Sequence, residues 1–321
     1  MQAAIRIRAS AMLEAGRAGP LTRAASVAWS AVAARSLVRR VSVDVALVTI
    51  GGATLGGSGK TSLAIACARA LREAGARVAF VGHAYRATPG RARVVAGTDR
   101  LCDVGDDALF AARELHGDGV PVVVGPSRAD ALALAASMSD VCVVDGLVQA
   151  APRAALSLLA VDPGAPWGAG ACPPAGDLRA PVRALVSAVD HVVPIVRSTP
   201  RLVSSARAGQ ALPSLVGGSV GVLTACGHPE RFVAAARALG LRVTHVVRAP
   251  DHGPAPSALP HVDAWLASPE CALHLEGRGV PTVELRSDVI LPREVLAALS
   301  RVARSAHPSA CFPTLDRRGA P

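Results

Sequence analysis

Residues 41–74 constrain the fold more than any other stretch of the chain. Val41 to Ile50 is a β-branched apolar run ending at Gly51, followed by Gly56-Gly57-Ser58-Gly59-Lys60-Thr61 and a helical stretch from Thr61 to Ala74. Strand, glycine loop and helix in succession form the context of a phosphate-binding loop, in which backbone N–H groups and a helix amino terminus face an anion. The strict pattern asks for Gly five residues before Gly59, and Thr54 stands there, so the match is partial. The phosphate-contacting part remains: Thr54, Gly56, Gly57, Ser58, Gly59, Lys60, Thr61 and Ser62 are the candidate ATP contacts. Lys60 is assigned to the β and γ phosphates and Thr61 to Mg²⁺. Lys60 is also the only lysine among 34 Lys and Arg, in a chain without asparagine. A composition that writes its cations as Arg makes this exception positional, because a compact ammonium fits between phosphates where a planar fork does not.

Further apolar runs at Val78 to Val81, Val120 to Val124, Val141 to Val144 and Leu158 to Val161 alternate with Ala-, Leu- and Arg-rich segments. That alternation predicts an α/β fold of the phosphate-loop NTPase type, a parallel sheet with helices on both faces. Between Pro194 and Gly218 the pattern weakens into an inter-domain connection. A second, smaller α/β lobe then opens with a strand at Val220 to Leu223, a helix from Pro229 to Leu239 and a strand at Arg242 to Val247. The expected organisation is a basic segment 1–42, a kinase domain 43–205, a second lobe 206–306 and a frayed tail 307–321.

Hydrophobic residues make up 51% and charged residues 18% of the chain, enough for ordinary buried cores. The net charge of +10 suits nucleic acid, anionic membrane or phosphorylated substrates, but at 2% aromatic residues there are no stacking platforms for single-stranded nucleic acid. Seven widely spaced cysteines without a C-x-x-C pair read as reduced, mostly buried thiols, against a disulfide framework or zinc site. No apolar run crosses a bilayer; Ala208 to Pro229, the longest uncharged stretch, is broken by Gly and Pro. At the amino terminus Arg6, Arg8, Arg17, Arg23, Arg35, Arg39 and Arg40 surround the apolar stretch Ala24 to Ala34, which contains Trp29. An interfacial helix with Arg against anionic headgroups and a helix docked on its own domain both fit. A signal peptide is the third option, disfavoured by the nucleotide site that follows.

Four further segments bear chemistry. Val141-Cys142-Val143-Val144-Asp145 is an apolar strand ending in a carboxylate, the way neighbouring strands hold magnesium beside a phosphate loop. Leu158-Leu159-Ala160-Val161-Asp162 has the same outline, and either Asp could instead cap the next turn. Gly105-Asp106-Asp107 places two carboxylates at the start of a helix, as general base, metal ligand or cap. Asp251-His252-Gly253 pairs a carboxylate with an imidazole in a loop, where a histidine is commonly a surface residue.

In this order the segments resemble the tetraacyldisaccharide 4'-kinase family over roughly residues 43–290. The resemblance rests on Gly51 to Thr61, where the family also has Thr for the first loop Gly, and on Tyr85, the only tyrosine, at the family's S-R-G-Y-G. It continues through Gly105-Asp106-Asp107 for G-D-E-P, Asp145-Gly146 for D-D-G, and Pro174 to Pro181 for P-A-G-P-L-R-E-P. Gly227 to Phe232 and Pro250-Asp251-His252 match the second-domain signature.

The resemblance implies a two-lobed kinase, peripheral to the cytoplasmic face of the inner membrane, that moves the γ-phosphate of ATP onto the 4'-hydroxyl of a lipid disaccharide 1-phosphate. It implies no nucleic acid partner and no obligate protein partner. Asp106 would take the hydroxyl proton with support from His252, Lys60 and Thr61 would hold the triphosphate and Mg²⁺, and Asp107 and Asp145 would bind or orient the metal. Tyr85, Arg128 and Arg179 would contact substrate or phosphate. Departures are Val144 for the first Asp of D-D-G, Gln149 near its following His, His83-Ala84 before Tyr85, and Ser268 to Cys271 without the family's Lys-Asp pair. The glycine loop, Lys60, Asp106 and His252 are nonetheless all present, so a divergent working kinase is the reading preferred over a nucleotide-binding remnant with a regulatory role or an enzyme of a soluble substrate.

Overall fold

The computed structural model describes residues 2–16, 18–204, 215, 218–225, 229–250 and 252–306. The chain runs α1 (Gln2–Ala15), α2 (Pro20–Arg35), β1 (Val38–Arg40), β2 (Ala46–Gly52), α3 (Lys60–Glu73), β3 (Val78–Val81), β4 (Arg93–Val94) and α4 (Leu101–Val104). It continues with α5 (Asp106–Leu115), β5 (Val122–Val124), α6 (Arg128–Ala136), β6 (Val141–Asp145), β7 (Gln149–Ala151), β8 (Leu156–Val161), α7 (Val182–Ala188) and β9 (His191–Pro194). Then follow β10 (Arg201–Ser204), β11 (Ser219–Thr224), α8 (Pro229–Ala238), β12 (Arg242–Arg248), β13 (Ala264–Ala267), α9 (Pro269–Ala272), β14 (Thr282–Arg286) and α10 (Arg293–Ala306).

The first sheet has the order β4-β5-β3-β6-β2-β8-β9 and is parallel except for the edge strand β4. Its inner strands are apolar on both sides because helices cover both faces. On one face Leu63, Ala64, Cys67 and Leu71 of α3 and Leu109 and Leu115 of α5 pack with Val48, Ile50, Phe80, Val143 and Leu158. On the other, Leu132 and Ala135 of α6 meet Leu47, Val81, Cys142 and Val144, while Ala33 of α2 and Leu185 of α7 meet Leu159 and Val161. The second sheet, β10-β14-β13-β11-β12, is parallel apart from β10.

Three boundaries differ from the sequence reading. The first strand begins at Ala46 rather than Val41: Val41, Val43 and Val45 alternate with Ser42 and Asp44 and only flank the core. Residues 201–204, expected in the connection, form the antiparallel edge of the second sheet. Helix α10, expected in the second lobe, packs on α3, its Val295, Ala298, Leu299, Val302 and Ala303 joining the first lobe's core. An amphipathic stripe shows that a helix is buried, not against which sheet.

Of the five described cysteines, Cys67, Cys142, Cys172 and Cys271 are buried and Cys102 is exposed. Among the described residues no helix is long and apolar enough to cross a membrane. Helix α2 docks through a narrow face, with Ala33 buried and Ser26 Oγ donating to the carbonyl of Cys172 at 2.7 Å. Its Leu21, Trp29 and Val32 remain exposed.

Candidate active site

The glycine loop leaves β2 at Gly52 and enters α3 at Lys60. Thr54, where the strict pattern has Gly, holds the loop: its Oγ1 donates to the carbonyl of Gly56 at 2.7 Å, and its backbone bridges Leu178. Gly59 caps α3 at φ 75°, a left-handed conformation that turns the chain into the helix and that a side chain would strain. Lys60 Nζ lies 3.4 Å from Asp107 Oδ2. Burial disfavours its charge, but the carboxylates of Asp107 and Asp145 outweigh burial and raise its pKa above the ordinary lysine value.

Asp145 ends β6, the neighbour of β2, with Ile50 as its register partner. Thr61 Oγ1 donates to Asp145 Oδ2 at 2.7 Å, whereas Asp145 Oδ1 is buried with no hydrogen-bond partner among the described residues. Burial pushes the Asp145 carboxyl upward against the pull of Lys60. An orphaned carboxylate oxygen beside a hydroxyl fits a hard divalent cation with oxygen ligands. Asp162 also lines the cleft, but its Oδ1 accepts from the backbone N–H of Gly164 at 2.8 Å and caps its own turn. Arg128 Nη1 donates to the Asp145 carbonyl at 3.3 Å and Arg179 Nε to the Gly52 carbonyl at 3.0 Å, so both guanidiniums border the loop. Burial lowers the pKa of each.

Gly105, at φ 85°, breaks α4 from α5 and sets Asp106 and Asp107 at the amino terminus of α5, where the helix dipole favours negative charge. Asp106 Oδ1 accepts from the Asp107 backbone N–H at 2.9 Å and lies 2.7 Å from His252 Nδ1. Its Oδ2 lies 3.1 Å from His274 Nε2. Burial works against ionisation of Asp106, but the hydrogen bonds from His252 and His274 prevail and hold the carboxyl well below the usual range. His252 reaches in from the second lobe at φ 49° and also lies 3.8 Å from Asp107. The Tyr85 ring stands edge-on to His252, centroids 5.0 Å apart.

All these groups except Tyr85, Arg128 and Asp145 line one cleft of about 700 Å³ between the lobes. Tyr85 reaches its edge through His252, and Arg128 and Asp145 lie behind the loop. Arg197, Glu270 and His274 also line it and were not expected from the sequence. His274 sits in Ala272-Leu273-His274-Leu275, where only an imidazole between buried leucines hints at a role. Asp251 and His228 lie outside the described residues.

The family model for tetraacyldisaccharide-1-P 4'-kinase matches residues 18–258. The chain belongs to this family. A tetraacyldisaccharide 4'-kinase of Methylobacterium sp. (strain 4-46) is 34% identical over 293 residues, covering 84% of each chain. The enzyme of that name from Alkalilimnicola ehrlichii is 35% identical over 237 residues, covering 68% of this chain and 69% of its own. LpxK from Aquifex aeolicus, solved in complex with ATP, has the same fold, with a TM-score of 0.68 at 20% identity over 88% of this chain and 99% of its own.

Two departures from the kinase family's motifs have structural explanations. Val144 points to the opposite sheet face from Asp145, into the core of Leu47, Val81 and Val123, so an Asp there would enter an apolar layer. Gln149 is buried and fully engaged: its Nε2 donates to the Ala188 carbonyl at 2.8 Å, and its Oε1 accepts from the N–H groups of Ala150 and Ala154.

Proposed function

We propose that this chain is an ATP-dependent kinase that phosphorylates the 4'-hydroxyl of a tetraacyldisaccharide 1-phosphate in lipid A biosynthesis. The observation that carries this is the Asp106–His252 pair, joined across the two lobes at 2.7 Å and facing the Lys60 loop in one cleft. Phosphoryl transfer asks a protein mainly for positioning and charge neutralisation. Lys60 and the backbone N–H groups of Gly57 to Lys60 bind the triphosphate, and Ser58 and Ser62 border it. Thr61 and Asp145, with Asp107, would hold Mg²⁺, which when bound neutralises phosphate charge. Asp106 accepts the proton of the attacking hydroxyl at a carboxylate oxygen, while His252 fixes that carboxylate. Tyr85 and Arg179 orient the acceptor or its 1-phosphate, and Arg128 steadies the strand end that carries Asp145.

Peripheral attachment to the cytoplasmic face of the inner membrane completes the proposal. The exposed Leu21, Trp29 and Val32 of α2, with exposed Arg35 next to them at the helix end, support it. Purified protein given Mg-ATP and the tetraacyl disaccharide 1-phosphate should yield a bisphosphorylated product. Asp106→Ala should slow that reaction about 10²- to 10⁴-fold, the usual contribution of a general base. A wild-type protein that binds ATP but yields no product would refute the assignment.

A further inference from the structure

We infer that His274 is a positioning residue for the proposed base, holding the second oxygen of Asp106 so that the carboxylate keeps one plane in the cleft. This rests on the kinase reading above and extends it to a residue outside the recognised motifs. A carboxylate rotates freely about its last torsion, and one held oxygen leaves the group a pivot. In this chain Oδ1 meets His252 Nδ1 at 2.7 Å and the Asp107 N–H at 2.9 Å, while Oδ2 meets His274 Nε2 at 3.1 Å. Both edges are therefore fixed, by imidazoles from two separate segments of the second lobe.

The segment carrying His274 is anchored on each side. Ser268 caps α9 by accepting from the Cys271 N–H at 3.4 Å. Leu273 inserts into the core of the first lobe, whereas Leu275 is buried in a cluster of the second. Glu276 pairs with Arg113, two turns along α5 from Asp106. The run 273–276 thus grips α5 near both ends, and His274 takes its place from packing. His252 takes its own from a left-handed backbone conformation, φ 49°, that costs energy in a non-glycine residue. Two holds of different origin make Asp106 less dependent on either, and the proton of the acceptor still passes to Asp106, not to His274.

The test compares His274→Ala with His274→Gln, whose amide nitrogen is as many bonds from Cβ as Nε2. Loss of orientation in His274→Ala should lower kcat about 10- to 100-fold with the KM for ATP little changed. His274→Gln should restore most of the rate, because it keeps a donor at the same reach. An unimpaired His274→Ala would overturn the inference, as would a His274→Gln as slow as His274→Ala with an unchanged melting temperature. Should His274→Ala not fold, the rate of His274→Gln decides alone. Should wild type make no bisphosphorylated product, the kinase reading itself falls. The contact is then judged from the ring ¹⁵N resonances of His274, which shift on Asp106→Asn if His274 holds Asp106 and stay in place if it does not.

Discussion

Lys60 is held in the field of the Asp107 and Asp145 carboxylates, which outweighs the cost of its burial. A guanidinium carries the same charge but needs a planar, wider site, and the 3.4 Å approach to Asp107 leaves it little room. Lys60→Arg is therefore expected to lower kcat by about 10²-fold or more, the scale of removing one electrostatic contact to the developing charge. Steady-state kinetics with Mg-ATP checks it, and a variant within a few fold of wild type would contradict the assignment. Lys60, Thr61, Asp106, Asp107, Asp145 and His252 were readable as candidates because each sits in a short run whose spacing implies chemistry. His274 was not, because it has no local pattern; only the fold brings it to Asp106, 168 residues away in sequence. The choice between Asp145 and Asp162 was likewise undecidable from two matching strand ends, and the hydrogen bond of Thr61 to Asp145 is what favours Asp145 in the proposal.

At the scale of elements, strands of the parallel sheet were legible because short unbroken β-branched runs have few other uses in a globular fold. Their ends were less so: β2 starts at Ala46 because Asp44 interrupts the apolar run before it. The short edge strand β10, only four residues with Arg201 and Ser204 at its ends, carries no periodic signal. Helix α10 was not read from the sequence, and its residues were expected only as part of the second lobe. Its Leu299 is 1% exposed and packs beside Val295 and Val302 in the first lobe's core. Leu299→Ala should cost about 3 kcal/mol through lost burial and a residual cavity. Urea unfolding should show the loss, while kcat at a temperature where the variant remains folded should be close to that of wild type. A variant as stable as wild type would show that α10 is not part of that core.

The whole molecule is organised around a cleft that the second lobe completes, and the lobes are tied across it. Arg286 Nη1 meets Glu114 Oε1 at 2.6 Å, Arg69 meets the same carboxylate at 3.1 Å, and Arg113 pairs with Glu276. Helix α1 joins the same opening, its Leu13 and Glu14 on the rim and Glu14 3.5 Å from Arg248. On neighbouring α2, Leu21, Trp29 and Val32 recur at helical spacing along one stripe and are 88%, 50% and 55% exposed. A stripe of that kind, on an amino-terminal segment that also exposes Arg8, Arg23, Arg35, Arg39 and Arg40, combines an apolar contact with charge for anionic headgroups. It would bring the cleft to the surface that holds an acylated substrate. Wild-type protein should cosediment with anionic vesicles and less with neutral ones, and binding should weaken as salt screens the Arg side chains. Substituting Leu21→Ser, Trp29→Ser and Val32→Ser together should abolish vesicle binding, while each change costs no more than about 0.5 kcal/mol of stability because the side chains are already exposed. A triple variant that binds vesicles as wild type does would remove α2 from the membrane contact and leave the basic charge alone to account for it.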